Sequence, residues 1–137
     1  MPKVSGILET AIYAEDAGRT ADFYRRIFGF DVLVESPRLC ALDAGERSVL
    51  LIFRRGATVE GLESDGGRIP PHDGAGPSHF AFAIELEDLE SWATHLEAHG
   101  VSIESRVMWD RGGTSLYFRD PDNHSVELAT RRTWATY

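Results

Sequence analysis

The chain has 137 residues, 42% of them hydrophobic, which suffices for one domain or two small intertwined modules without disulfides. Its formal net charge is −8, from 14 Lys and Arg against 22 Asp and Glu, so nucleic acid is not an expected partner. No apolar run approaches the roughly 18 residues that cross a bilayer, and the N-terminus lacks a signal-peptide core. We therefore expect a cytoplasmic protein with no membrane partner, in which the single cysteine, Cys40, is buried.

Residues 1–55 predict a first βαβββ module. A strand over residues 7–14 precedes a helix over 17–28, which Asp16 caps and Gly29 ends. Three short strands follow, near residues 31–36, 38–42 and 48–53.

Residues 56–77 are rich in glycine and proline, as in GGRIPPHDGAGP, and indicate a linker or a loop over a cleft. At roughly 20 residues the segment is longer than a plain connection, which points to function or mobility. His72 in this loop is a candidate catalytic general base near neutral pH, the alternative being a loop histidine in water.

Residues 78–137 repeat the pattern as a second βαβββ module with a C-terminal tail. The predicted elements are a strand over 78–86, a helix capped by Asp88 and ending before Gly100, and strands near 102–108, 115–119 and 125–129. Trp134 and Tyr137 lie in the tail, which we expect to pack on a neighbouring subunit or to fray.

The two modules can be aligned through their last turns, DAGERSVLLI and DPDNHSVELA. Without a gap, this alignment places Leu50 at the position of Glu127. The same strand position is therefore aliphatic in one module and acidic in the other, so the strand itself does not require a carboxylate.

Strand alternation places most large apolar residues on one face, under the helices, and polar side chains on the other. The polar face carries Glu9, His79, Ser115, Tyr117 and Glu127. Alanines near the two acids and the imidazole leave space, which suggests a concave cavity. Carboxylates and an imidazole converging there require a compensating cation, so Glu9, His79 and Glu127 are candidate ligands of a divalent metal.

The donor set does not select among Mn²⁺, Fe²⁺, Ni²⁺, Zn²⁺ and Mg²⁺. Because Leu50 adds no fourth ligand, open coordination positions remain, as in catalytic sites. The alternative is that each acid is an exposed surface residue and His79 a satisfied structural histidine.

Other side chains are weighed against plainer roles. Trp109 and Arg111 precede a strand at the cleft rim, where a guanidinium can fork onto a carboxylate or phosphonate, or can simply be a surface arginine. His95 and His99 lie four apart on the second helix and are expected to be exposed. His124 is expected to be structural.

Three stretches carry a resemblance: ETAIYAEDAGRTADFYRRIFGF, HFAFAI and YFRDPDNHSVEL. Together they resemble the vicinal oxygen chelate superfamily, which includes glyoxalase I, fosfomycin-resistance proteins, extradiol dioxygenases and bleomycin-resistance proteins. The resemblance covers about residues 7–129. It implies an α+β fold in which two βαβββ modules form a cupped mixed sheet with helices on the outside.

The resemblance also implies site residues. Glu9, His79 and Glu127 match the family's metal-ligand positions, although most metal-dependent members have His where this chain has Glu9. Ser115 and Tyr117 match residues that contact the phosphonate in fosfomycin thiol transferases, and Tyr117 is also a candidate catalytic residue. Leu50 occupies the place of a further carboxylate in glyoxalase I, which argues against that activity.

Our first hypothesis is a divalent-metal-dependent enzyme in which the ion chelates neighbouring oxygens of a small substrate. The reaction is isomerisation, thiol transfer to an epoxide or dioxygenation. The alternative is a metal-free drug- or metabolite-binding protein, as bleomycin-resistance proteins are. Because modules of such chains often exchange between subunits, we expect a homodimer in which Glu9 of one chain meets His79 and Glu127 of the other.

Overall fold

A computed structural model describes all 137 residues, which form two units, Met1–Ala75 and Gly76–Tyr137. Each unit contains a βαβββ module with one α-helix and a four-stranded sheet. The predicted α+β fold with two such modules is therefore confirmed. Neither α-helix has the length and apolar composition to span a bilayer.

Unit 1 contains a four-stranded sheet in the order β1-β4-β3-β2, with β1 parallel to β4 and the other pairs antiparallel. Its elements are β1 (Glu9–Ala14), α1 (Ala17–Phe28), β2 (Val32–Glu35), β3 (Leu39–Asp43) and β4 (Val49–Arg54). As predicted, the Asp16 side chain caps α1 by accepting a hydrogen bond from the Arg19 amide, and Gly29 ends it with φ 70°. The stripe that includes Phe23, Tyr24 and Ile27 is buried.

The segment after β4 contains a small hairpin that the sequence analysis treated as loop. Strands β5 (Leu62–Ser64) and β6 (Gly67–Ile69) pair antiparallel around Asp65-Gly66. Asp-Gly is a strong two-residue hairpin signal, but the short strands around it lack a regular alternation of apolar residues.

Unit 2 contains the second four-stranded sheet, in the order β7-β10-β9-β8, with β7 parallel to β10. Its elements are β7 (His79–Ala83), a 3₁₀ turn (Leu86–Asp88), α2 (Leu89–Ala98), β8 (Ser105–Met108), β9 (Thr114–Arg119) and β10 (Ser125–Ala129). The Asp88 side chain does not cap α2, contrary to prediction, because the 3₁₀ turn already holds its backbone in a helical conformation.

The observed strand pairing corrects the alignment of the modules by one residue. Glu9 pairs with Val49 and His79 with Ser125, so Glu127 corresponds to Leu51 and not to Leu50. Leu50 is 1% exposed and faces the core. A shift of one residue changes the face of a strand, which is why the ungapped alignment chose a core residue. The position equivalent to Glu127 is still aliphatic.

The C-terminal tail packs on its own unit, which the expectation of fraying or of packing on a neighbour did not foresee. Thr130 is buried, its amide donates to the Thr114 carbonyl, and its hydroxyl oxygen accepts a hydrogen bond from the Thr114 amide. The Tyr137 hydroxyl donates to the Ile84 carbonyl at 3.3 Å, and Arg131 lies over the Tyr137 ring.

Candidate active site

His79 and Glu127 lie on neighbouring parallel strands of unit 2 and on the same face of the sheet. His79 begins β7 and pairs with Ser125, whereas Glu127 is in the middle of β10 and pairs with Ala81. The His79 Nε2 and Glu127 Oε2 atoms are 3.2 Å apart. The Glu127 side chain is only 8% exposed, compared with 50% for His79, so the carboxylate lies at the closed end of the site.

The hydrogen bond on the other side of the imidazole fixes which nitrogen faces Glu127 with a lone pair. His79 Nδ1 is 2.9 Å from the Ser125 carbonyl oxygen, which can only accept, so Nδ1 carries the hydrogen. In the neutral imidazole, Nε2 is then unprotonated and opposes a carboxylate oxygen. A proton or a cation between the two atoms removes that repulsion.

This donor set fits a divalent metal. A ligating histidine commonly donates its second nitrogen to a backbone carbonyl, as His79 does. An ion about 2.1 Å from two neighbouring ligand atoms holds them roughly 3 Å apart, as His79 Nε2 and Glu127 Oε2 are. The chain assembles no group of three or more His, Cys, Asp or Glu side chains that could hold a metal.

A chain of hydrogen bonds orients the other oxygen of Glu127. Trp109 Nε1 donates to Ser115 Oγ at 2.8 Å, and the Ser115 hydroxyl donates to Glu127 Oε1. Ser115 is fully buried, so its hydroxyl is shielded from water and bonds side chains of this network instead. Oε2 remains directed at His79.

A cavity of about 270 Å³ opens over this pair. It is lined by His79, Trp109, Tyr117, Glu127, Thr133 and Trp134. Thr133 and Trp134 were absent from the predicted site, because only the folding of the tail onto unit 2 brings them there.

Tyr117 lines the cavity with its ring nearly parallel to that of His79, at a centroid distance of 6.0 Å. Burial raises the pKa of the Tyr117 phenol, and the charge of the Glu127 carboxylate and a hydrogen bond to it raise the pKa further, against a smaller lowering by a hydrogen bond with Ser115. Tyr117 therefore stays protonated at neutral pH, and its hydroxyl shares the Glu127 carboxylate with Ser115.

Glu9 belongs to unit 1, where it starts the edge strand β1 and is exposed. Alternation places it on the same face of β1 as Ala11 and Tyr13. Arg111 lies in the turn between β8 and β9 and is exposed, and it lines a different cleft from the one above Glu127.

His72 is part of an aromatic cluster of unit 1. Its Nδ1 is 2.6 Å from the Tyr13 hydroxyl, and its ring meets Phe53 edge-on at 4.7 Å. The His72 amide donates to the Thr58 carbonyl, and the Thr58 hydroxyl donates to the His72 carbonyl. These two hydrogen bonds hold the loop in place. Burial raises the pKa of Tyr13, and Asp73 raises it further, so the phenol is protonated at neutral pH.

The remaining histidines and the cysteine lie outside the site. His124 is 1% exposed and hydrogen-bonds buried Asp120 at 2.7 Å, a structural pair as expected. His95 and His99 are half-buried instead of exposed, because their rings pack 4.2 Å apart. Cys40 is buried as predicted.

Comparison with known proteins places these features in a family. Residues 6–128 match the Glyoxalase/Bleomycin resistance protein/Dioxygenase superfamily. The chain belongs to that superfamily. It is 30% identical over 129 residues to metallothiol transferase FosB of Bacillus licheniformis, covering 93% of this chain and 77% of the relative. The fosfomycin resistance protein FosX of Listeria monocytogenes is 26% identical over 131 residues, covering 91% of this chain and 89% of that protein.

Among solved structures, the crystal structure of lactoylglutathione lyase from Agrobacterium tumefaciens superposes with a TM-score of 0.89. It is 32% identical and the match covers 98% of this chain and 99% of that one. The predicted superfamily and fold are thus confirmed, and so is the prediction of a metal-dependent enzyme of this superfamily. None of these relatives favours the metal-free binding alternative.

Proposed function

We propose that His79 and Glu127 hold a divalent metal ion in an active site that acts on a small, oxygen-rich molecule. The observation that carries this proposal is that His79 Nε2 faces the Glu127 carboxylate at 3.2 Å inside a cavity, while His79 Nδ1 bonds the Ser125 carbonyl. The ion, when bound, supplies a Lewis acid that polarises neighbouring oxygens of the substrate and stabilises the negative charge that develops on them.

Glu9 is the proposed third ligand and comes from the second subunit of a homodimer through exchange of modules. Its support is the exposure of Glu9 at the start of an edge strand and its place at the strand position that His79 occupies in unit 2. A symmetric dimer of this kind has two equivalent sites. Elemental analysis also identifies the metal. We further propose a cytoplasmic location, which cell fractionation tests.

The chain's own residues position the reactants. Trp109 and Ser115 orient Glu127, while Tyr117 donates a hydrogen bond to a substrate oxygen as negative charge grows on it. Trp109 also forms an apolar wall of the cavity, and Ser115 acts on the substrate through Glu127.

His72 is the proposed general base. When Nδ1 carries the hydrogen and donates it to the Tyr13 oxygen, Nε2 is left to accept a proton from the substrate. The reverse arrangement, with Tyr13 donating to Nδ1, places the hydrogen on Nε2 and makes His72 a donor. The pair therefore allows either direction of proton transfer.

Thiol transfer and isomerisation are the reactions best supported among the three, because the similar proteins named above are metallothiol transferases and a lactoylglutathione lyase. The aliphatic Leu51 at the position equivalent to Glu127 counts against the glyoxalase I form of isomerisation. Assays of metal-loaded protein with methylglyoxal and glutathione, with fosfomycin and a thiol, and with a catechol and oxygen separate isomerase, transferase and dioxygenase activity.

Elemental analysis of protein purified without chelator tests the metal directly. We expect about one divalent ion per chain in the wild type and loss of the ion in Glu127→Ala. The matched control is Glu97→Ala, which removes an exposed helix carboxylate and should bind as much metal as the wild type. If neither wild type nor control carries or takes up metal, the proposal is wrong and metabolite binding without metal becomes the better account.

A further inference from the structure

A second cleft of unit 2, of about 300 Å³, carries two arginines and adjoins the cavity over Glu127. It is lined by Arg111, Arg132, Trp134, Ala135 and Tyr137. Trp134 lines both this cleft and the cavity that contains His79 and Glu127. The two spaces therefore meet at one indole side chain, which is 71% exposed.

The two arginines differ from the other arginines of their unit in having no carboxylate partner. Unit 2 contains five arginines. Three of them form ion pairs, Arg106 with Glu90, Arg119 with Glu104 and Arg131 with Glu85. The unpaired two, Arg111 and Arg132, are the two that line the cleft. In a chain of net charge −8, two guanidinium groups left unpaired in one cleft favour an external anion.

The local backbone explains how the two side chains come to share a cleft. Gly112 has φ 102°, and a Cβ atom there would lie 3.2 Å from the Arg132 guanidinium carbon. A Cβ at Gly113 would lie 2.4 Å from the Thr133 amide nitrogen. These two glycines let the tail approach the turn after β8, which sets the Arg132 guanidinium beside the turn that carries Arg111.

We infer that this arginine cleft, defined by Arg111, Arg132 and Trp134, is a subsite for the anionic group of the substrate or of a co-substrate. The group is a carboxylate, phosphonate or phosphate, because a planar guanidinium matches two oxygens of each of these. Trp134 provides an apolar wall for the part of the molecule that connects this group to the reactive oxygens over Glu127. The inference rests on the proposed function for the reactive end alone.

The test is anion binding by the full-length protein in low salt with a chelator present, so that its result does not depend on the metal. Inorganic phosphate and succinate are titrated separately, and the amide signals of Gly112 and Gly113 and the Trp134 indole signal are followed by NMR. We expect saturable shifts, with the tighter of the two probes showing which oxyanion the cleft prefers. Because charge-assisted contacts dominate, 1 M salt should abolish the shifts.

The variants Arg111→Met and Arg132→Met keep an unbranched apolar side chain and remove the guanidinium and its charge. Each should weaken binding of the preferred probe at least about tenfold, the loss of one charge-assisted contact. Arg47→Met is the matched control, since Arg47 is exposed, unpaired and, like Arg132, has a positive φ, 64° against 71°. It should bind as the wild type does.

Absence of saturable binding of both probes, or equal weakening in Arg47→Met, would overturn the arginine cleft as an anion site. Either result leaves the metal at His79 and Glu127 untouched, because the titration contains none. Conversely, a failed elemental analysis with normal anion binding would remove the metal and keep the subsite.

Discussion

The two units share one βαβββ plan but use the same face of the sheet in different ways. Where unit 2 has Glu127, Tyr117 and Ser115, the strand pairing of unit 1 places Leu51, Ala41 and Leu39. Only the first-strand position is a possible metal ligand in both, Glu9 in one unit and His79 in the other. Helix α1 buries six residues, whereas α2 buries two. Helix α1 is thus the more deeply buried of the two helices, and unit 2 carries most of the polar chemistry.

This contrast shows what decides the character of a repeated module. The hydrogen-bonded framework tolerates either an aliphatic or an acidic residue in the middle of the last strand. The acid is kept only where neighbouring side chains orient it, as Trp109 and Ser115 do for Glu127. In unit 1 the equivalents of Ser115 and Tyr117 are Leu39 and Ala41, which have no hydroxyl group to donate a hydrogen bond.

The register of the comparison can be broken by placing a carboxylate at each of two adjacent leucines. Leu50→Glu buries a charge in the core and should lower the free energy of unfolding by about 4 kcal/mol or more. Leu51→Glu lies on the half-exposed face and should cost about 1.5 kcal/mol or less. Urea denaturation followed by circular dichroism measures both. Equal costs, or a larger cost for Leu51→Glu, would contradict the equivalence of Leu51 with Glu127 and favour Leu50 in its place.

The turns that precede the last strands make a second comparison. Buried Asp120 accepts from the Asp122 and His124 amides and from the His124 ring, so Asp120→Ala should cost about 3 kcal/mol by leaving those donors unsatisfied. In unit 1, exposed Asp43 accepts only from the Gly45 amide, and Asp43→Ala should cost less than about 1 kcal/mol. Denaturation midpoints of the two variants give the comparison, and similar midpoints would contradict it.

Ser115→Ala should have a small effect on stability and a specific effect on the metal. Loss of the hydroxyl removes one hydrogen bond from Glu127 and one from Trp109, which costs about 1–2 kcal/mol. Because Glu127 then loses its orientation, metal affinity should fall about tenfold, as for other residues that orient a ligand. Titration with a metallochromic dye measures the affinity. Unchanged affinity would mean that Ser115 serves packing alone.

Much of the fold followed from the sequence because its periodicity is strong and repeated. The helix-ending Gly29 and Gly100, the apolar stripe of α1 and the turn before Ser125 are local signals, and each was sufficient to predict its own element or turn. The register that relates the two modules could not be predicted, since it depends on pairing between strands. The β5–β6 hairpin could not be predicted either, since its strands have only three residues each.

The site could be predicted only where strand alternation reports it. His79, Glu127, Ser115 and Tyr117 share a face, as expected, because they lie on paired strands of one unit. The contact of Tyr13 with His72, 59 residues apart, and the return of Arg132 and Trp134 to the turn after β8 depend on how loops fold back. The glycines at 112 and 113 were the available signal for the second of these.

Complementation between two inactive variants tests the central claim most directly. In a dimer with exchanged modules, Glu9→Ala and Glu127→Ala each destroy every site, but their heterodimer keeps one site with both wild-type residues. Random pairing after co-expression then restores metal at roughly a quarter of all sites. That fraction is the result we predict for elemental analysis of the co-expressed protein. Metal content no higher than in either variant alone would contradict a site built from Glu9 of one chain and His79 and Glu127 of the other.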